Sequence, residues 1–169
     1  VSNRAGLQYV ARAKGALVRL LPFEFSTLQT YLLEFGDFYM RVIKDGGLVT
    51  EPEVTISGAT QAYPVVVTAT AHGYANGDWL YVSGVAGMTR LNNRFFKVAN
   101  KSANSFEITD VDGNNIDGTG FSAYTSGGTS AKVYEIASPY AEAALFTVEG
   151  MGSTISREMT VNGLEIEIG

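Results

Sequence analysis

Cysteine is absent from the 169 residues. A disulfide framework, a thiolate metal site and a cysteine nucleophile are therefore excluded, and reducing and oxidising compartments stay equally open. Histidine occurs once, at His72, so a multi-histidine metal site would need carboxylates in place of the missing imidazoles. Charge is also scarce. Asp, Glu, Lys and Arg make up 17% of the chain, against a usual share of about 25%. The longest apolar runs, such as Pro64 to Val67 and Ala141 to Phe146, fall well short of the ~18 residues of a membrane span. No basic stretch followed by an apolar one opens the chain, so no signal peptide is expected. The first residue is Val1, which points to a fragment or a processed product.

What is present is apolar, aromatic and rich in glycine. Hydrophobic residues make up 46%, with 19 Gly, nine Tyr, nine Phe and four Pro. One or two domains fit this length, and a compact domain of this size buries roughly 70% of its unfolded surface without a staple. The aromatics and low charge exclude a disordered chain. The balance of 12 Lys and Arg against 17 Asp and Glu excludes a polybasic nucleic-acid binder. Many glycines beside many aromatics suit an all-β protein with tight turns.

The charge is unevenly placed. Residues 1–58 carry six basic and six acidic groups, and residues 59–133 carry five of each. Residues 134–169 carry Arg157 against six acidic groups, so the whole net charge of −5 sits there. The plain reading is a solvated acidic face. The sharper one is an acidic edge that meets a basic partner or a neighbouring subunit.

Residues 15–25, GALVRLLPFEF, fit two patterns. Ala16, Leu17, Leu20 and Leu21 could line a helix, but Pro22 opposes its continuation. Phe23 and Phe25 flank Glu24 with period two, as in a strand. Gln29 to Phe35 and Phe38 to Ile43 read as further strands, separated at Gly36-Asp37. Lys44 to Gly47, KDGG, is a strong turn signal before Leu48-Val49. The expectation is an antiparallel meander. Residues 59–133 are richer in Thr, Ser and Gly, with candidate strands at Val65–Thr70, Trp79–Val82, Phe95–Val98, Ser105–Val111 and Lys132–Ile136. Short strands at close spacing indicate a small barrel or sandwich. The convincing helix start is Ser138-Pro139, a cap followed by a proline at the first helical position, with Gly150 and Gly152 as its end. Asn162-Gly163 reads as the two-residue turn of a final hairpin.

Candidate chemistry is sparse. His72 sits in Ala71-His72-Gly73 and reads as a structural turn residue. Asp110, Asp112, Asn114 and Asp117 in DVDGNNID resemble part of a calcium loop. Asn115 replaces the glycine such a loop needs, and Phe121 stands where its bidentate Glu belongs, so polar turn residues explain the stretch better. Glu24, Glu34, Asp37 and Asp45 are possible members of a carboxylate pair for glycoside hydrolysis, though each fits a strand face or turn as easily. Gly118-Thr119-Gly120 and Gly127-Gly128 lack the Lys-Ser/Thr and helix of a phosphate loop. Trp79, Tyr81, Phe95 and Phe96 offer a carbohydrate-stacking surface, or more simply a core.

Two resemblances emerge from these residues. LVRLLPFEFSTLQTYLLEFGDFYMRVIKDGGLV, followed much later by ASPYAEAALF, resembles phage and prophage virion proteins related to the tail nozzle (tail tubular B-like) proteins of short-tailed phages. The phrases Leu21-Pro22-Phe23, Leu33-Glu34-Phe35-Gly36, Lys44-Asp45-Gly46-Gly47 and Ser138-Pro139-Tyr140 carry it, with Arg4-Ala5-Gly6 upstream. In the middle region, AHGYANGDWLYVSGVAGMTRLNNRFFKV, then SFEITDVDG and GTGFSAYTSGGT, is similar to the first catalytic-cysteine half-domain (FCCH) of ubiquitin-activating enzymes. That likeness implies a fold; without cysteine it implies no thioester chemistry. Together the two cover most of residues 4–147, and the segment after Phe146 has no counterpart.

The expected fold is mainly β. Residues 1–58 and 134–169 form a discontinuous base, an antiparallel sheet or sandwich with one short helix, and residues 59–133 form an inserted small β-barrel. The resemblance implies a non-catalytic structural subunit of a phage tail or connector, a homo-oligomeric ring around the DNA channel. It would be located in the virion, and in the host cytoplasm during assembly. Other tail or connector proteins would be its partners, with no sequence-specific nucleic-acid binding and no membrane span. A neutral-to-acidic channel wall would let DNA slide, since phosphate contacts need Lys and Arg. No catalytic, cofactor-binding or metal-binding residue is assigned, and no cofactor is expected. The alternatives are a carbohydrate or host cell-surface binding module, and more distantly an envelope hydrolase using Glu34 or Asp37.

Overall fold

The computed structural model describes the backbone of residues 10–26, 29–145, 158–161 and 164–167, and the side chains of residues 10–23 and 31–145. In chain order the first strands are β1 (Arg19–Ser26), β2 (Gln29–Gly36), β3 (Tyr39–Lys44), β4 (Gly47–Leu48), β5 (Val54–Thr55), β6 (Gly58–Ala59) and β7 (Val66–Thr68). There follow β8 (Trp79–Ser83), β9 (Arg94–Ala99), β10 (Ser105–Thr109), β11 (Thr129–Lys132) and β12 (Glu135–Ala137). A single helical turn, α1 (Glu142–Leu145), precedes β13 (Glu158–Val161) and β14 (Leu164–Glu167). The fold is mainly β and antiparallel throughout, with one short helix.

Five strands make the first sheet, in the order β1-β2-β3-β12, with β4 also paired to β3. Pro22 sits inside β1 opposite Leu32. Because β1 is an edge strand, proline's missing donor breaks no ladder on the free side. The KDGG signal forms a two-residue hairpin in which Lys44 faces Gly47. Asp45 and Gly46 both take positive φ, 50° and 79°, as a type I′ turn requires. At the β2–β3 turn Phe38 is held at φ 57°, a conformation that a bulky residue rarely adopts. The chain beyond β12 fixes it there: the Phe38 N–H donates to the Tyr140 carbonyl and its own carbonyl accepts from the Ser138 N–H, both at 2.9 Å.

The second sheet has seven strands in the order β5-β11-β8-β9-β10-β7-β6. Its two outermost strands, β5 and β6, are separated in sequence only by Ile56 and Ser57. Opposite edges that lie this close along the chain force the sheet to curl, which produces a half-barrel. Ile56 N–H bonds the Gly128 carbonyl on one side and Ser57 N–H bonds the Thr68 carbonyl on the other, each at 2.9 Å. Alternation along the strands turns Leu80, Val82, Phe96, Val98, Phe106 and Ile108 into the interior, where all are buried. Met88 and Leu91, from the 3-10 turn at Thr89–Leu91, cap the same core. Gly87 has φ 78°, and a β-carbon there would fall on the Ala123 carbonyl, so a side chain would meet backbone.

The chain enters and leaves the curled sheet side by side. Thr50 bridges Val133, Glu51 N–H bonds the Lys132 carbonyl at 2.7 Å, and Tyr134 N–H bonds the Val49 carbonyl at 2.8 Å. The curled sheet takes in Val54–Thr55 and Gly58, which precede the expected boundary at 58/59.

Three local expectations are revised. The helix starts at Glu142, not at Pro139. Ser138 Oγ instead accepts the Tyr140 N–H at 3.3 Å, and the Glu142 N–H is taken by Asp37 Oδ1 at 3.0 Å, so the cap comes from the distant β2–β3 turn. The single strand expected over Lys132–Ile136 is divided between the two sheets, as β11 and β12, because the chain passes from one to the other at Val133-Tyr134. The strand expected over Ser105–Val111 ends at Thr109, where Asp110 begins a turn. Arg4-Ala5-Gly6, Gly150, Gly152 and Asn162-Gly163 lie outside the described residues. The strands either side of the last pair do form a hairpin, with Val161 opposite Leu164.

Candidate functional site

The two sheets meet across a polar cluster. Register places Glu34 opposite Arg41, and Arg41 opposite Glu135, on one face of the first sheet. Arg41 is fully buried and Glu34 is 3% exposed. Arg41 Nε donates to Glu135 Oε2 at 3.2 Å. Its guanidinium carbon lies 4.3 Å from the ring centre of Trp79, on the curled sheet, and 5.5 Å from that of Tyr39. The two Nη atoms of Arg41 and Nε1 of Trp79 are buried and meet no acceptor among the described residues. Aromatic faces therefore supply much of what stabilises this cation.

The segment before β1 is stitched into the same cluster. Tyr39 Oη donates to Glu34 Oε1 at 2.8 Å and accepts the Gly15 N–H at 3.1 Å. Lys14 N–H donates to Glu34 Oε1 at 3.2 Å, and Lys14 Nζ to Glu135 Oε1 at 2.5 Å. Burial, and then the neighbouring Glu34 carboxylate, push the Tyr39 hydroxyl well above the usual phenol range, so it stays a neutral donor. Lys132 ties Glu51 to Asp78 at 3.4 and 3.6 Å. Burial works against its charge, but the two carboxylates outweigh burial and raise its pKa.

Beside the cluster runs a groove of about 730 Å³ between the two sheets. Leu48 and Thr50 line one side, Trp79, Tyr81 and Phe95 the other. Tyr81 and Phe95 are cross-strand neighbours with ring centres 5.1 Å apart. They sit on the face opposite the curled core, and both are half-buried. Tyr81 Oη donates to Asn93 Oδ1 at 3.2 Å. Arg12, Arg94, Glu53 and Asp110 also line the groove, two cations against two carboxylates.

The structure distributes the residues singled out in the sequence. His72 is buried against Tyr74 and Phe106, ring centres 4.9 and 5.0 Å away. Its Nδ1 accepts the Tyr74 N–H at 3.0 Å, so the proton is on Nε2, which faces the Ser102 carbonyl at 3.0 Å. Both ring nitrogens are thus used in holding a turn. Asp110 Oδ1 accepts the N–H groups of Asp112 and Asn114, both at 2.9 Å, and its Oδ2 accepts from the Asn114 amide. The Asn114 side chain and these backbone donors lower the Asp110 pKa. Asp112 pairs with Arg12 at 2.7 Å, and Asp117 accepts from Thr119. Three His, Asp or Glu groups at metal-binding spacing are not found among the described residues.

Of the carboxylates considered for hydrolysis, Glu34 is in the junction cluster and Asp37 caps α1. Asp37 and Asp45 lie beyond opposite ends of β3. At ~3.3 Å per strand residue their backbones are roughly 25 Å apart, far beyond the ~5–9.5 Å of a glycosidase pair. The side chain of Glu24 lies outside the described residues. The four aromatics divide: Phe96 is in the curled core, Trp79 is buried at the sheet junction, and Tyr81 and Phe95 line the groove.

Arg41 is the residue that sequence reasoning missed. The available signal was an arginine within the apolar strand FYMRVI, directly across the meander from Glu34.

Comparison with curated proteins found no match. The family model of the ubiquitin-activating enzyme E1 FCCH domain matches residues 63–134. This stretch holds β7 to β11, five of the seven strands of the curled sheet, so the middle of the chain is an FCCH-like module.

Proposed function

We propose that this chain is a non-catalytic structural subunit of a phage tail or connector, nozzle-like in kind, that assembles with copies of itself into a ring around the DNA channel. The single observation that carries the reading is the outer edge of β1. It runs for eight residues and pairs with nothing among the described residues. Leu17, Leu20 and Phe23, on or just before it, are 56%, 50% and 37% exposed. A long edge bearing apolar side chains templates pairing with another chain. A closed ring uses such edges productively, because each is covered by the next subunit. Pro22 has no N–H, so at that one position the edge offers no donor.

The virion identity draws its support from the likeness of the strands around Leu21-Pro22-Phe23 and Leu33-Glu34-Phe35-Gly36 to nozzle proteins. The non-catalytic part draws support from how the carboxylates are used: Glu34 and Glu135 hold the sheet junction, and Asp37 caps α1. The ring would contact other tail or connector proteins, in the virion and, during assembly, in the host cytoplasm. The net charge of −5 disfavours tight binding to DNA phosphates. Immunogold electron microscopy of phage particles from the source, with antibody to this chain, is expected to label the tail or neck. Intact particles without label, beside free protein in the supernatant, would refute the virion assignment.

A further inference from the structure

We propose that the groove between the two sheets binds a short neutral oligosaccharide. Its volume of about 730 Å³ lies within the ~300–1,000 Å³ of small-molecule sites. One wall is the Tyr81–Phe95 pair. These rings stand on the outer face of strands whose inward residues, Leu80, Val82 and Phe96, are wholly buried. The curled core therefore does not need them; Phe95 packs on one side against Leu48, Trp79 and Val133, and the part of each ring left exposed to the groove suits the C–H face of a pyranose ring.

The polar groups around the pair select the ligand class. Thr50, Glu53 and Asn93 line the groove. No hydrogen bond within the described residues engages the Thr50 hydroxyl, the Glu53 carboxylate or the side-chain Nδ2 of Asn93. A hydroxyl, a carboxylate and an amide bond sugar hydroxyls, which both donate and accept. A purely apolar ligand would leave all three unpaired on binding. An anionic ligand such as a nucleotide would face Glu53 and Asp110 as well as Arg12 and Arg94, with no net attraction. Leu48 and Trp79 close the floor. The site needs both sheets, and it stands or falls independently of ring assembly.

Trp79 is the only tryptophan and lines the groove, so its fluorescence reports occupancy directly. The full chain is titrated with maltotriose, cellotriose and triacetylchitotriose to ~10 mM, a range that detects millimolar affinity, with adenosine monophosphate as the anionic control. The expected result is a saturable change with at least one trisaccharide and none with the nucleotide. Tyr81→Ala should weaken that binding at least tenfold. Asn93→Gly, an exposed change that keeps the left-handed backbone there (φ 58°) and removes the amide, should weaken it severalfold with an unaltered circular dichroism spectrum. The proposal is overturned if no trisaccharide binds, if the nucleotide binds instead, or if binding survives both substitutions.

Discussion

Arg41→Ala is expected to destabilise the protein by about 3–5 kcal/mol, the range for emptying the space of a large buried side chain. The substitution removes a fully buried side chain and leaves a void between the Tyr39 and Trp79 rings. It also removes the cation next to Glu135 and opposite Glu34. Arg41→Met should lose less than half as much. Methionine fills most of the volume, and the wild-type guanidinium already carries two Nη atoms without acceptors. Each such buried donor costs about 1–3 kcal/mol, so the charge itself adds less to stability than the filled space. Urea denaturation of the three proteins checks this. A loss below 1 kcal/mol for alanine, or methionine as damaging as alanine, would mean that the junction is held elsewhere.

Phe96→Ala should cost about 3–5 kcal/mol and lower the melting temperature by roughly 6–20 °C. Phe96 is wholly buried in the curled sheet, across from Leu80 on β8, and packs in the one cluster that includes Val82, Phe106 and Ile108. Phe95→Ala, one residue away on the other face, should cost less than half of that, since Phe95 is half-buried in the groove. The contrast tests the strand's facing as well as its burial. Equal losses at the two positions would contradict the register of β8 against β9.

Much of the architecture was legible because short-range chemistry decides it. Lys44 to Gly47 had to turn, since Asp-Gly supplies two adjacent positive-φ positions. Strand positions followed from β-rich runs between turn signals, as in Trp79–Val82. The middle module was legible from its run of short strands and from its likeness to FCCH domains, and the family model covers the same region. The helix start was not. Ser138-Pro139 has the right local chemistry, yet Ser138 and Tyr140 are drawn to the Phe38 backbone, and Asp37, about a hundred residues earlier, caps α1 instead.

The site was harder to read, because it is made by a junction between distant segments. Tyr81 and Phe95 were visible as aromatics, but nothing local distinguished them from Phe96. That distinction depends on which face of the curled sheet meets β4 and the segment before β1. Arg41 was obscured for a related reason. A charged residue in an apolar strand reads as facing solvent until Glu34, Glu135 and the Trp79 ring arrive from elsewhere to bury it.

Sedimentation velocity over a concentration series tests most directly whether β1 is an assembly edge. The wild-type chain should form oligomers that grow with concentration, and Leu20→Lys combined with Phe23→Lys should return it to monomer with its circular dichroism spectrum intact. A wild-type chain that stays monomeric up to its solubility limit, or oligomers indifferent to both lysines, would contradict assembly through this strand.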